Sequence, residues 1–168
     1  MTNTAAGPVL TDQAHTELAK QLFNQAWELI ELPDRTPDQD RLMLVTACAS
    51  WLHWDAIGTE ERRAVADWQI AHVASLLGYG DLALAHAGTA LHRTESGDLP
   101  DWMRASALEG LARAHAAAGH KAERDSYLRR ATDALAAIAE DDERELIASQ
   151  IATVPDVAIA TVPDVTKE

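Results

Sequence analysis

The sequence predicts an all-α protein: six long helices in three antiparallel pairs, closed by a short seventh. Three observations predict it. Hydrophobic residues make up 47% of the chain but aromatics only 5%, and alanine carries much of that share, which favours helix over strand. Apolar side chains recur at helical spacing. The first five periodic stretches also close on glycine or proline, and most open on a capping residue or a proline.

Thr11 or Asp12 caps the first helix, whose apolar face of Leu18, Leu22, Trp27, Leu29 and Ile30 runs to about Leu32. Pro33 stops it, since proline lacks the donor and clashes with the preceding turn. Thr36-Pro37 restarts the chain as N-cap and first helical residue. The second helix carries Leu42, Leu44, Val45, Ala49, Leu52 and Ile57 and ends at Gly58. Thr59 caps a third helix that runs to Leu77-Gly78. Gly80-Asp81 opens a fourth, ending near Gly97, and Leu99-Pro100-Asp101 opens a fifth, ending at Gly119. The sixth is expected over Lys121 to Ala139. Asp141, Asp142 and Glu143 suit the positive end of a seventh, which closes near Ala152.

These elements amount to one domain. Residues 1–10 read as a flexible leader, 11–153 as a single helical domain, and 154–168 as an extended or disordered tail. The tail is duplicated: IATVPDV stands at Ile151–Val157 and again at Ile159–Val165. Pro155 and Pro163 break any helix there, so the repeat is either a plain extended end or a short linear motif for a partner.

A formal net charge of −13 argues against nucleic acid and anionic membranes, which require clustered Lys or Arg. No apolar run approaches the roughly 20 residues that span a bilayer. Nothing at the N-terminus has the basic and apolar regions of a signal peptide, and one cysteine forms no intramolecular disulfide. A cytoplasmic location is expected, and a homodimer stays open.

Leu77-Gly78, Ala83 and Ala90-Leu91 match the latter part of a tetratricopeptide repeat, where small residues let the second helix pack closely on the first. Ala118-Gly119, Leu128 and Ala131 give a second copy, with Arg124 where the repeat carries a small residue. The chain thus resembles a tetratricopeptide-like protein with lengthened helices over most of residues 12–140. Residues 43–92 are also similar to small uncharacterised bacterial proteins of that class, through Ser50-x-x-His53-Trp54, Trp68 and Ala85-His86-Ala87. The resemblance implies a right-handed arc of about three helix pairs whose first helices line a concave groove. On that alignment Trp68 and His72, four apart on one helix, share the groove with Glu109 and Arg113 of the fifth helix. Trp27 and Glu28 are their companions on the first.

Each group carries two readings. Ser50, His53, Trp54 and Ile57 form a stripe that is either packing between repeats or the wall of a pocket. Glu109 and Arg113 are either a surface ion pair or the charged part of that pocket. The expected function is a binding module whose acidic, Trp/His-lined groove takes a peptide or protein partner, through Trp54, Trp68, His72, His86, Glu109 and Arg113. The alternative is a small-molecule enzyme or metal-dependent protein using His53, His72, Glu109 and Arg113. Cys48 and the histidines form no recognised ligand spacing, so no metal and no cofactor are expected. Cys48, flanked by alanines, reads as a small buried residue, and His115 and His120 as complements to a helix C-terminus.

Overall fold

Among the described residues seven α-helices follow one another: α1 Asp12–Ile30, α2 Pro37–Ile57, α3 Glu60–Leu76, α4 Gly80–Ser96, α5 Asp101–Ala117, α6 Lys121–Ala134 and α7 Asp141–Ala152. They are seen in a computed structural model that describes residues 10–97 and 99–157, among which there is no strand. All of the expected leader except Leu10, and the second IATVPDV copy, lie outside the described residues. The helices pack in successive pairs, α1 on α2, α3 on α4 and α5 on α6, with α2 against α3 and α4 against α5. This arrangement is compatible with a helical-repeat fold.

Local chemistry sets the boundaries. Thr11 and Thr59 accept from the backbone N–H three residues on, and Thr36 with Gln39 forms a full capping box ahead of Pro37. Two turns repeat one device. Gly78 and Gly119 adopt φ of 75° and 79°, a region that favours glycine. The next residue in each case, Tyr79 or His120, bonds back to Ala74 or His115 at 2.9 Å, closing the helix in the same way. The first pair ends differently. Arg35 donates to the Leu29, Ile30 and Leu32 carbonyls at the end of α1 and pairs with Asp40. Gly80 lets α4 start hard against α5, since a Cβ there would lie 2.8 Å from the Ala118 Cα.

α3 and α5 form the centre. Every residue from Ala66 to Ala74 and from Ala105 to Ala114 is buried. Helices surrounded on all sides have no solvent face, so their polar residues are buried too. The main core joins Ala71, Ala74, Ala83, Ala87, Ala90, Leu108 and Leu111 to Ile138 and Ile147. Alanines at these contacts bring helix axes close, as the composition suggests.

Three expectations need correction. The sixth helix stops at Ala134, tightens into a 3-10 turn at Leu135–Ala137 and becomes extended at Ile138, which drops its side chain into the core. Cys48 is exposed rather than buried, although partial desolvation raises its thiol pKa. Leu42, Val45 and Leu52 of α2 are also exposed, because α1 and α3 cover the opposite stripe of Met43, Ala47, Ser50 and Trp54.

Candidate functional site

A cavity of about 490 Å³ lies among α1, α3, α5 and α7, with Ala90 and Thr94 contributed by α4. It is lined by the first helix of each pair and by the terminal helix. Three of its walls carry an indole: Trp27 on α1, Trp68 on α3 and Trp102 on α5. Phe23, Met103, Leu146 and Ile147 fill out an apolar surface. The only charged lining groups among the described residues are the carboxylates Glu31 and Glu143. Volume and lining both suit a ligand pocket, for which 300–1,000 Å³ is the usual scale.

Behind Trp68 lies a buried polar cluster. The ring of Trp68 is 5.8 Å from Trp27 and 5.5 Å from His72, and Trp27 is 5.4 Å from His72, centroid to centroid. Trp68 donates its indole N–H to Glu109 Oε2 at 3.2 Å. Arg113 donates through Nε to Glu109 Oε1 at 2.8 Å and also brings Nη2 to 2.6 Å from it. The same guanidinium reaches the end of α7, donating to the Gln150 carbonyl at 3.2 Å and to Thr153 Oγ1 at 2.8 Å. Burial raises the Glu109 pKa, while Arg113 and then Trp68 oppose the rise by stabilising the anion. Burial, and secondarily the Arg113 charge, lowers His72 from its ordinary 6.5 to about 3, so its imidazole is neutral at pH 7.

His72 Nδ1, Gln69 Oε1 and Gln150 Oε1 are buried without a hydrogen-bond partner among the described residues. Gln69 nonetheless ties α3 to α1 through its amide N–H, which donates to the Phe23 carbonyl at 3.0 Å. Of the three, only Gln150 belongs to the cavity lining. On the α7 wall it stands beside Glu143, the other polar residue that this helix brings to the lining.

The structure therefore gathers five of the sequence-predicted residues, Trp27, Trp68, His72, Glu109 and Arg113, into one cluster, of which Trp27 and Trp68 face the cavity. Glu109 and Arg113 are not a surface pair: their side chains are 0% and 5% exposed. The other candidates lie elsewhere. His53 meets His15 across the α1–α2 contact, Nδ1 to Nδ1 at 2.9 Å. Trp54 is packed with Ala19 and Ala66 and covered by the Arg62 guanidinium 5.0 Å from its ring. His86 donates to Asp67 at 2.9 Å. Glu28 is exposed, and it is Glu31 that reaches the cavity.

Sequence reasoning missed Trp102, the α7 wall and Asp67. The signal for Trp102 was its four-residue spacing from Ser106, which puts both on one stripe of α5. The buried Asp67 carboxylate accepts from Trp51 at 3.0 Å, from His86, and from Arg93 at 3.1 Å, joining α2, α3 and α4. Arg93 continues to Glu60, which Arg63 links to Asp55.

Among the described residues, no group of three or more His, Cys, Asp or Glu is placed to hold a metal ion, and no helix is long and apolar enough to cross a membrane. No protein-family model, curated protein or solved structure matches the chain.

Proposed function

We propose that the protein is a binding module of tetratricopeptide-like architecture, its three helix pairs forming a right-handed arc. Its cavity takes a bulky apolar anchor flanked by positive charge, presented by a peptide or protein partner. One observation carries this reading: Trp27, Trp68 and Trp102 converge on one cavity whose charged lining groups are both acids. Indoles give large apolar contact area and attract cations to their faces. Glu31 and Glu143, and the net charge of −13, favour a basic segment over an acidic one. A cytoplasmic location belongs to the same reading, since a lone free thiol suits a reducing compartment.

The test is a tryptophan-fluorescence titration with two amphipathic peptides of identical apolar residues, one carrying lysines and the other glutamates. The lysine peptide should bind, and Trp102→Ala should weaken it at least about tenfold, as loss of a buried aromatic anchor does. Equal binding of both peptides, or of wild type and Trp102→Ala, would count against the reading.

A second reading, a small-molecule site, is favoured by the cavity volume and its largely apolar lining. In that reading His72, Glu109 and Arg113 act from behind the indoles, and His53, paired with His15, takes no part. A native mass spectrum showing a co-purified compound of a few hundred daltons would support it.

A further inference from the structure

The first copy of the duplicated tail is held in place. Thr153 accepts from Arg113 through its hydroxyl at 2.8 Å and through its carbonyl at 3.4 Å. The Val154 side chain is buried, and its carbonyl accepts from Arg124 Nη2 at 3.2 Å. The Pro155 carbonyl accepts from Arg124 Nε at 3.1 Å, and the Asp156 carboxylate lies 3.0 Å from Arg124 Nη2. Two arginines, both largely buried, thus grip one Thr-Val-Pro-Asp segment. The segment suits this role. A residue before proline is biased to extended backbone, and proline has no N–H that needs a partner. Arg124, which departs from the small residue of the repeat pattern, has this grip as its structural purpose.

Every residue held in this seat has an identical counterpart eight positions on: Thr161, Val162, Pro163 and Asp164. We propose that the Arg113–Arg124 seat recognises the Thr-Val-Pro-Asp sequence, and that Thr161–Asp164 of the same chain is its second ligand, replacing Thr153–Asp156 whenever that copy leaves. Covalent linkage favours the same chain, because a short tether gives an effective concentration near millimolar. The first copy holds the seat at rest because it follows directly from α7. Seating the second closes a loop of eight more residues, a handicap of roughly 20-fold if closure scales as the three-halves power of length. The exchange also lengthens the tether between the seat and α7, the helix that carries Leu146, Ile147 and Gln150.

Urea unfolding of the full chain tests the proposal through Val154→Asp, Val162→Asp and the double variant. Each places a charge where the seat buries a valine. Val162→Asp alone should leave the midpoint unchanged. In the Val154→Asp background it should lower the folded-to-unfolded ratio by roughly threefold or more, because the replacement copy is then lost. Equal stability of Val154→Asp and the double variant would overturn the proposal. A dimer of Val154→Asp by sedimentation would overturn the same-chain assignment. Should the Asp variants fail to fold, Val154→Ala and Val162→Ala carry the same comparison. An added IATVPDV peptide should restabilise the double variant while a scrambled peptide does not, and no difference between the two peptides would count against sequence recognition.

Discussion

Trp68 and Glu109 are 41 positions apart in the chain and joined by one hydrogen bond of 3.2 Å, from an indole that faces the cavity to a carboxylate with no solvent exposure. That bond links the cavity wall to the buried ion pair behind it. Removing Glu109 leaves the Arg113 guanidinium buried with no counter-charge. Glu109→Ala should therefore cost about 3–5 kcal/mol of stability, the range for breaking one side of a buried pair. The double variant Glu109→Leu/Arg113→Met should cost much less than the sum of the single changes, because neither charge is then stranded. Urea midpoints of the four proteins measure the coupling; additive losses would show that the pair does not act as a unit.

His72 gives the fold a pH dependence with a definite sign. Burial first, and Arg113 second, lower its pKa from 6.5 to about 3. As pH falls through 6.5 the unfolded chain binds this proton and the folded chain does not, so stability drops progressively towards pH 3. Glu109 acts the other way: its pKa is raised, so its contribution to stability is present at low pH and lost as pH rises through the folded value. His72→Phe keeps an aromatic ring against Trp27 and Trp68 and removes both the titration and the unpartnered Nδ1. The variant should lose less stability than wild type between about pH 7.5 and 5.5, by up to roughly 1.4 kcal/mol per pH unit. Parallel pH curves for the two proteins would refute the assignment.

The helices were legible because their ends are local chemistry: Thr36 with Gln39, Gly58, Thr59 and Gly78 act within a few residues of themselves. The pairing of Trp68, His72, Glu109 and Arg113 was legible because four-residue spacing sets each pair on one face of its helix, and the resemblance to a tetratricopeptide repeat aligns the third helix with the fifth. Depth was not legible. An (i, i+4) Glu–Arg pair looks the same in sequence whether it is solvated or buried, and only the packing around α5 decides. The closed form of the cavity was not legible for a related reason: its fourth wall, α7, follows the three helix pairs, and no periodic argument places it. Cys48 was misjudged because its alanine neighbours indicate close packing on α2 without saying which stripe faces α1.

Gly110 sits inside α5, where alanine would ordinarily gain about 1 kcal/mol of helix propensity. A Cβ there would lie 2.9 Å from Trp68 Cδ1 and 3.3 Å from its Nε1. The indole is held by Glu109 and packed against Trp27, so retreating towards the cavity breaks those contacts. Gly110→Ala should therefore destabilise the protein by about 1–3 kcal/mol, the cost of forcing a buried side chain from its seat. It should also shift the tryptophan emission, since the displaced ring is one of the cavity indoles. A stabilised variant with unchanged emission would show that Trp68 moves freely.

Asp67 offers the sharpest contrast between two substitutions at one position. Its carboxylate is 2% exposed and accepts from the indole of Trp51, the imidazole of His86 and the guanidinium of Arg93. These donors come from α2 and α4, so the carboxylate holds α3 between its neighbours. Asp67→Ala strands all three and should cost about 3–5 kcal/mol. Asp67→Asn keeps one carbonyl acceptor but loses the negative charge opposite Arg93, and its NH2 group adds a donor where donors already converge. Its cost should be smaller, about 1–3 kcal/mol, the penalty for leaving polar partners unsatisfied. Because Arg93 also pairs with Glu60, Arg93→Met should lose part of the same energy, and the effects of Asp67→Asn and Arg93→Met should be less than additive. Full additivity in urea unfolding would mean that Asp67 is held mainly by Trp51 and His86, and that Arg93 belongs to the surface pair with Glu60.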